Sequence, residues 1–180
     1  MRTVLTYEDY AALPSGDGWR YEIHDGELSV SPTPTFRHQQ IITRLLGILH
    51  RHVVAHDLGE VVPSPITVVL SDTSVVEPDI VYIAKEQMGI IGARGTIDGA
   101  RMLAIEVLSP STARIDRQTQ KQLFERYGVP WYWIVDADAR CIDVYQAVSG
   151  SYGPADRRGG TLAELPPFSG LTIDASAFWQ

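Results

Sequence analysis

Apolar and polar residues alternate along this chain in two different periods. Ile41, Ile42, Leu45, Leu46, Leu49 and Val53 recur at three- and four-residue spacing. That is the period of a helix with one buried stripe, and it predicts a helix over 35–57, closed by Gly59. A second stripe, Leu123, Phe124 and Tyr127, predicts a helix over 116–127, ended by Gly128-Val129-Pro130. Thr6-Tyr7-Glu8-Asp9 places a carboxylate three residues after a threonine, the signature of a short helix, here running to about Leu13. Elsewhere the period is that of strands. Residues 19–24 and 27–31 flank Asp25-Gly26, a hairpin turn. Further strands are expected at 60–63, 66–70, 75–83, 102–108, 131–135 and 140–145, with small edge strands in the tail. Residues 85–100 hold four glycines, Gly89, Gly92, Gly95 and Gly99, and predict a loop or short helix. This order of elements predicts an α/β domain with a mixed sheet. At 180 residues the chain suits a single domain over 1–180 and is too short for two full ones.

Two of the predicted strands are apolar on both faces, as buried strands are, yet each carries an acid. Asp79 lies in Val75-Val76-Glu77-Pro78-Asp79-Ile80-Val81-Tyr82-Ile83, and Glu106 in Met102-Leu103-Ala104-Ile105-Glu106-Val107-Leu108. A buried ionised carboxylate costs several kcal/mol unless it is paired or binds a metal. By parity Asp79 shares its face with Val81 and Ile83, and Glu106 with Ala104 and Leu108. If the strands are neighbours, both acids enter one cavity. With the Val107 carbonyl and waters they form a donor set for Mg2+ or Mn2+. Such an ion activates water and offsets charge on a phosphoryl group.

Other residues offer themselves with less geometry behind them. Glu27 follows the hairpin turn and is a third candidate acid. His38 lies early in the long helix. Arg114, Arg117 and Lys121 fall on one broad side of the second helix, either as a solvated face or as a ridge contacting phosphates. Asp116 caps that helix or orients a nearby cation. Glu22 shares its parity with Arg20 and His24 and reads as part of an edge pattern. Trp131, Trp133 and Val135 share one face while Tyr132 and Ile134 take the other, so this strand is core or dimer interface.

Charge narrows the choice of partner. A net charge of −7 gives no general footprint for non-specific nucleic-acid binding, so any DNA contact must be local. The lone Cys141 alternates with polar residues in Cys141-Ile142-Asp143-Val144 and is expected to be a buried strand thiol. There is no apolar run of transmembrane length, and Glu8 and Asp9 interrupt the start of the chain before a signal-like apolar stretch develops. A cytoplasmic setting is expected.

A longer string of residues resembles a known family. It comprises Tyr21-Glu22-Ile23-His24-Asp25-Gly26-Glu27-Leu28, His38, Pro78-Asp79-Ile80, Ile105-Glu106-Val107-Leu108-Ser109-Pro110-Ser111-Thr112, Asp116-Arg117 and Gly128-Val129-Pro130-Trp131-Tyr132-Trp133-Ile134-Val135-Asp136. Over 7–145 the chain resembles the Uma-type "putative restriction endonuclease" family of the PD-(D/E)XK nuclease superfamily. The resemblance implies a restriction-endonuclease-like mixed sheet flanked by helices, with an added N-terminal hairpin and C-terminal edge strands. It also implies Asp79 and Glu106 as metal ligands and hydrolysis of DNA phosphodiesters. The superfamily's lysine two residues after the glutamate is Leu108 here. The family's lysine four residues after the helix aspartate is Gln120, and Lys121, next in sequence, lies about 100° further round an ideal helix. Lys121, with Glu27 or His38, is therefore the expected catalytic group that positions water. Two readings compete: a Mg2+-dependent endonuclease, or a weak or inactive nuclease-fold protein acting as a homodimeric interaction module. A metal-dependent hydrolase of smaller phosphate esters is a third.

Overall fold

The computed structural model describes residues 3–174 and residue 179. The chain begins with a short helix, α1 (Tyr7–Ala11), and the hairpin β1 (Trp19–His24) and β2 (Glu27–Pro32). Asp25 and Gly26 both take positive φ, 52° and 82°, as the two central residues of a tight hairpin turn must. The long helix α2 (Phe36–Ala55) follows, its first turn capped by the Thr35 side chain, which accepts from the His38 amide. Then come β3 (Gly59–Pro63), β4 (Val68–Ser71), β5 (Ser74–Val76), β6 (Ile80–Ala84), a 3-10 turn over Lys85–Ile90, β7 (Ile97–Asp98) and β8 (Leu103–Val107). A widened, π-type turn over Ile115–Gln120 runs into α3 (Lys121–Tyr127), which ends on Gly128 with φ 74°. The remaining strands are β9 (Trp131–Asp136), β10 (Cys141–Val148), β11 (Ser151–Tyr152), β12 (Asp156–Gly159), β13 (Thr161–Ala163) and β14 (Thr172–Asp174).

These strands form two mixed sheets and a small pair. The central sheet has the order β11-β10-β9-β8-β6-β3, with β12 also on β10; β8 and β9 run parallel, while the pairings β3–β6, β6–β8 and β9–β10 are antiparallel. The second sheet has the order β2-β1-β5-β4-β7. One face of the central sheet packs on α2 through Ile41, Leu45, Leu49, Ile105, Val107, Trp133 and Val135. The other face, through Val81, Ala104 and Ile134, shares a core with α3 and with Val68 and Val76 of the second sheet.

Most expected elements form close to their predicted places, but the run 75–83 is not one strand. It divides at Glu77-Pro78-Asp79: β5 pairs in the second sheet and β6 in the central sheet. Pro78 cannot donate to a ladder and so favours this break. Asp79 thus stands just ahead of β6 rather than within a strand. The expected α-helix from Asp116 begins instead as the π-type turn. In the tail, β12 adds an edge to the central sheet, whereas β13 and β14 pair with each other. Cys141 is buried and unbridged. Among the described residues no helix is long and apolar enough to cross a membrane.

Candidate active site

The register between β6 and β8 sets the heart of the site. Ile80 pairs with Ile105, Val81 with Ala104 and Tyr82 with Leu103. Continued by one step, the same register sets Asp79 opposite Glu106, on the face occupied by Val81 and Ala104 rather than the face on α2. Both acids line one cleft of ≈ 240 Å³, together with Arg20, Glu22, His38, Asp116, Gln120 and the hydroxyl-bearing segments 29–35 and 109–112.

Asp79 is almost fully buried and well held. Its Oδ1 accepts from Arg20 at 3.1 Å, and its Oδ2 accepts from the Val107 amide at 2.8 Å and lies 3.2 Å from His38 Nε2. The same Nε2 is 2.7 Å from the Val107 carbonyl. Burial raises the Asp79 pKa, but His38, Arg20 and the Val107 amide outweigh it and hold the carboxyl below the ordinary range. Burial likewise lowers the His38 pKa, but Asp79 and the Val107 carbonyl more than offset it and keep the imidazole above its usual value.

Glu106 is in the opposite position. Its Oε1 is buried with no hydrogen-bond partner among the described residues. Burial first, and the Asp79 charge second, push its pKa well above the carboxylate range, and Arg20 offsets this only in part. Asp116 is pushed up to about 7 by burial, opposed by a Thr112 hydrogen bond and reinforced by Asp79 and Glu22; its Oδ2 too is without a partner. Glu22 is held low: burial raises its pKa, but His24, Arg20 and the Glu77 amide prevail. It accepts from the Glu77 amide at 2.8 Å and from Gln120 Nε2 at 3.2 Å. An amide nitrogen on a carboxylate fixes which way the Gln120 amide is turned, and its Oε1 is left buried and unpartnered.

Arg20, which the sequence reading did not single out, is the arginine of this cleft. It reaches Asp79, lies 4.0 Å from Glu22 and 3.9 Å from Glu77. Burial works against its charge, yet Glu22, Glu106, Asp79 and Glu77 together raise its pKa. The alternation Arg20, Glu22, His24 on β1 was the available signal. It looked like a solvated edge because sequence parity says which side chains share a face, not what covers that face.

The structure therefore brings together Asp79, Glu106, His38 and the Val107 carbonyl, and adds Arg20, Glu22 and Gln120. It does not bring in Lys121, whose ammonium lies 4.8 Å from the centre of the Tyr145 ring. Nor does it bring in Glu27, which is exposed at the far end of the hairpin, beside a separate depression with His24, Asp25 and Arg126. Arg114 is exposed. Arg117 is committed to Asp136 at 2.6 Å and Asp143 at 3.0 Å, so it does not form a free ridge with Arg114 and Lys121. An α-helix explains why Lys121 and Gln120 diverge. The π-type turn that precedes Lys121 does not restore it to the cleft, because Gln120 already occupies the inward position.

Comparison with known proteins gives the family and the fold. The family described as "Uma2: Putative restriction endonuclease" matches residues 7–176. The chain belongs to this family. A solved structure of "a putative nuclease belonging to DUF820" from Anabaena variabilis shares the fold with TM-score 0.76, at 18% identity, over 98% of this chain and 99% of the other. No match to a functionally curated protein was found.

The residues present suit a hard cation. Carboxylate and carbonyl oxygens are the donors that Mg2+ prefers, and a buried carboxylate oxygen without a partner, Glu106 Oε1, is costly unless something positive reaches it. Among the described residues no three His, Cys, Asp or Glu side chains form a metal cage by themselves. The set must then include main-chain or amide oxygens and water.

Proposed function

We propose that this protein is a Mg2+- or Mn2+-dependent endonuclease that hydrolyses DNA phosphodiester bonds. The observation that carries the reading is the convergence of Asp79 and Glu106 from adjacent strands, with Glu106 Oε1 buried and unpaired. Asp79, Glu106 and the Val107 carbonyl would hold the ion, which supplies Lewis-acid polarisation of the phosphoryl group and a more acidic water. Arg20 orients the Asp79 carboxylate through Oδ1 and lowers the repulsion between the two acids. His38 fixes the other Asp79 oxygen and the Val107 carbonyl. The hydroxyls of Ser29, Ser31, Thr33, Thr35, Ser109, Ser111 and Thr112 line the same cleft. Hydroxyls contact phosphate oxygens without adding charge, which suits a chain of net charge −7. A cytoplasmic setting is part of this reading, and rests on the lone thiol.

The test is nicking of supercoiled plasmid with Mg2+ or Mn2+. Wild type nicks; Asp79→Asn and Glu106→Gln do not. Equal nicking by all three proteins would sink the reading.

A second reading has its own observation. Trp19, Leu28 and Val30 of the hairpin are exposed, at 53%, 43% and 46%, and Gln120 stands where the family resemblance places a lysine. A catalytically weak or inactive homodimer joined through the hairpin fits both. Sedimentation showing a dimer, together with no nicking under any divalent ion, would favour it.

A further inference from the structure

Three oxygens from three different side chains are stranded in the cleft: Glu106 Oε1, Asp116 Oδ2 and Gln120 Oε1. Their residues are 3%, 5% and 1% exposed and all line the same cleft. Gln120 Oε1 is an acceptor, and the two carboxyl oxygens are acceptors when ionised. An unsatisfied buried acceptor costs about 1–3 kcal/mol, and more if charged. The Gln120 amide could turn its nitrogen inwards, but that nitrogen is taken by Glu22. Among the described residues the donors around the cleft make their hydrogen bonds elsewhere, although Arg20 Nε, 3.9 Å from Glu77, and His38 Nδ1 are also buried without a partner. Arg20 aims at Asp79 and Glu22, His38 at Val107 and Asp79, and Lys121 at Tyr145. Against the ionised carboxylates a phosphodiester would bring only further acceptors.

We propose that Glu106, Asp116 and Gln120 form a second cation position, which takes a hydrated divalent ion from solution. Two carboxylate oxygens and an amide oxygen, completed by water, are a donor set of the kind Mg2+ and Mn2+ accept. Gln120 stands one helical turn from Asp116, where a lysine would have supplied a tethered ammonium. In this chain a diffusible ion takes over the charge that such an ammonium would carry. The proposal rests on the metal-dependent reading above, and shares Glu106 with the ion assigned there to Asp79 and Val107.

Counting bound Mn2+ on the intact chain separates the two positions. Isothermal titration with Mn2+ should give two ions per wild-type chain and one in Gln120→Lys, whose ammonium fills the position. It should also give one in Asp79→Asn, which keeps the Gln120 position. Asp116→Asn, nearly the same shape, should weaken the same ion at least tenfold and guards against a folding defect in the lysine variant. In crystals soaked with Mn2+, the anomalous peak beside Gln120 should persist in Asp79→Asn and vanish in Gln120→Lys. A single wild-type ion that survives Gln120→Lys and is lost in Asp79→Asn would overturn this inference while leaving the endonuclease reading intact. No ion in wild type would overturn both.

Discussion

Asp143 and Glu106 are both nearly inaccessible on strands of the central sheet, at 1% and 3% exposure, and both lie near arginine. Around Asp143 every demand is met. Arg157 reaches Oδ1 at 2.6 Å and Oδ2 at 2.9 Å, and Arg117 reaches Oδ2 at 3.0 Å while its other nitrogen bonds Asp136. These bonds, Arg157 first, hold the Asp143 pKa below its ordinary value. Around Glu106 the single arginine is spread over Glu22, Asp79 and Glu77, and a carboxylate oxygen is left bare. A buried acid with both oxygens bonded to arginine ties the π-type turn to β9, β10 and β12. One left open is costly to the fold, and that cost is what makes it a place for chemistry.

The contrast breaks most sharply in activity. Asp79→Asn removes the charge that faces Glu106, and nicking should fall about 10³-fold, since several kcal/mol of metal stabilisation is lost. Plasmid nicking measures this. The same assay on Asp143→Ala should show no loss beyond that due to unfolding. If Asp143→Ala abolished nicking in a folded protein, the division between structural and open acids would fail.

Stability should reverse the ranking. Asp143→Ala leaves Arg117 and Arg157 without their shared carboxylate. Both arginines are partly solvated, so the expected cost is discounted to ~2 kcal/mol, or a melting point lower by about 5 °C.

The two regions should also respond to pH in opposite senses. The folded pKa of Asp143 is depressed, so its contribution is present above the unfolded value, 3.8, and is lost as pH falls through the folded value. The folded pKa of Asp116 is raised to about 7, so its contribution is full below the unfolded value and is lost as pH rises through 7. In chelator, Asp116→Asn should therefore stabilise the protein by roughly 4 kcal/mol at most at pH 8 and leave it nearly unchanged near pH 4. Thermal melts across pH 4–8 decide it; equal gains at both ends would show that charge is not the cause.

Smallest is Lys121→Ala. It removes a cation–π contact worth ~0.5–1 kcal/mol and should change nicking less than about twofold once stability is matched. A large loss of turnover would return Lys121 to the cleft in the working state.

How much of this was legible in sequence depends on what each residue reports. Strand parity put Asp79 and Glu106 on one face, and the β6–β8 register agrees. Asp25-Gly26 announced its turn because its backbone geometry excludes most other residues. Arg20 and Glu22 were passed over because a hairpin alternation looks the same whether its polar face meets water or another sheet. The run 75–83 gave no sign, beyond Pro78, that it passes from one sheet to the other. The direction of Lys121 follows from its place about 100° round the helix from Gln120, whereas the π-type turn before it is not specified by local propensity.

That passage from sheet to sheet has a mechanical consequence. Asp79 and Glu106 ride on the central sheet, but Arg20 and Glu22 ride on the other. Between β5 and β6 the chain crosses from one sheet to the other through Glu77, Pro78 and Asp79, one of several crossings between sheets that also share a core. The position of the guanidinium against Asp79 therefore depends on how the second sheet packs on the first, while the two acids flank the β6–β8 ladder of a single sheet. The pairing of the acids is thus set within one sheet, and their compensation by the packing of another sheet against it.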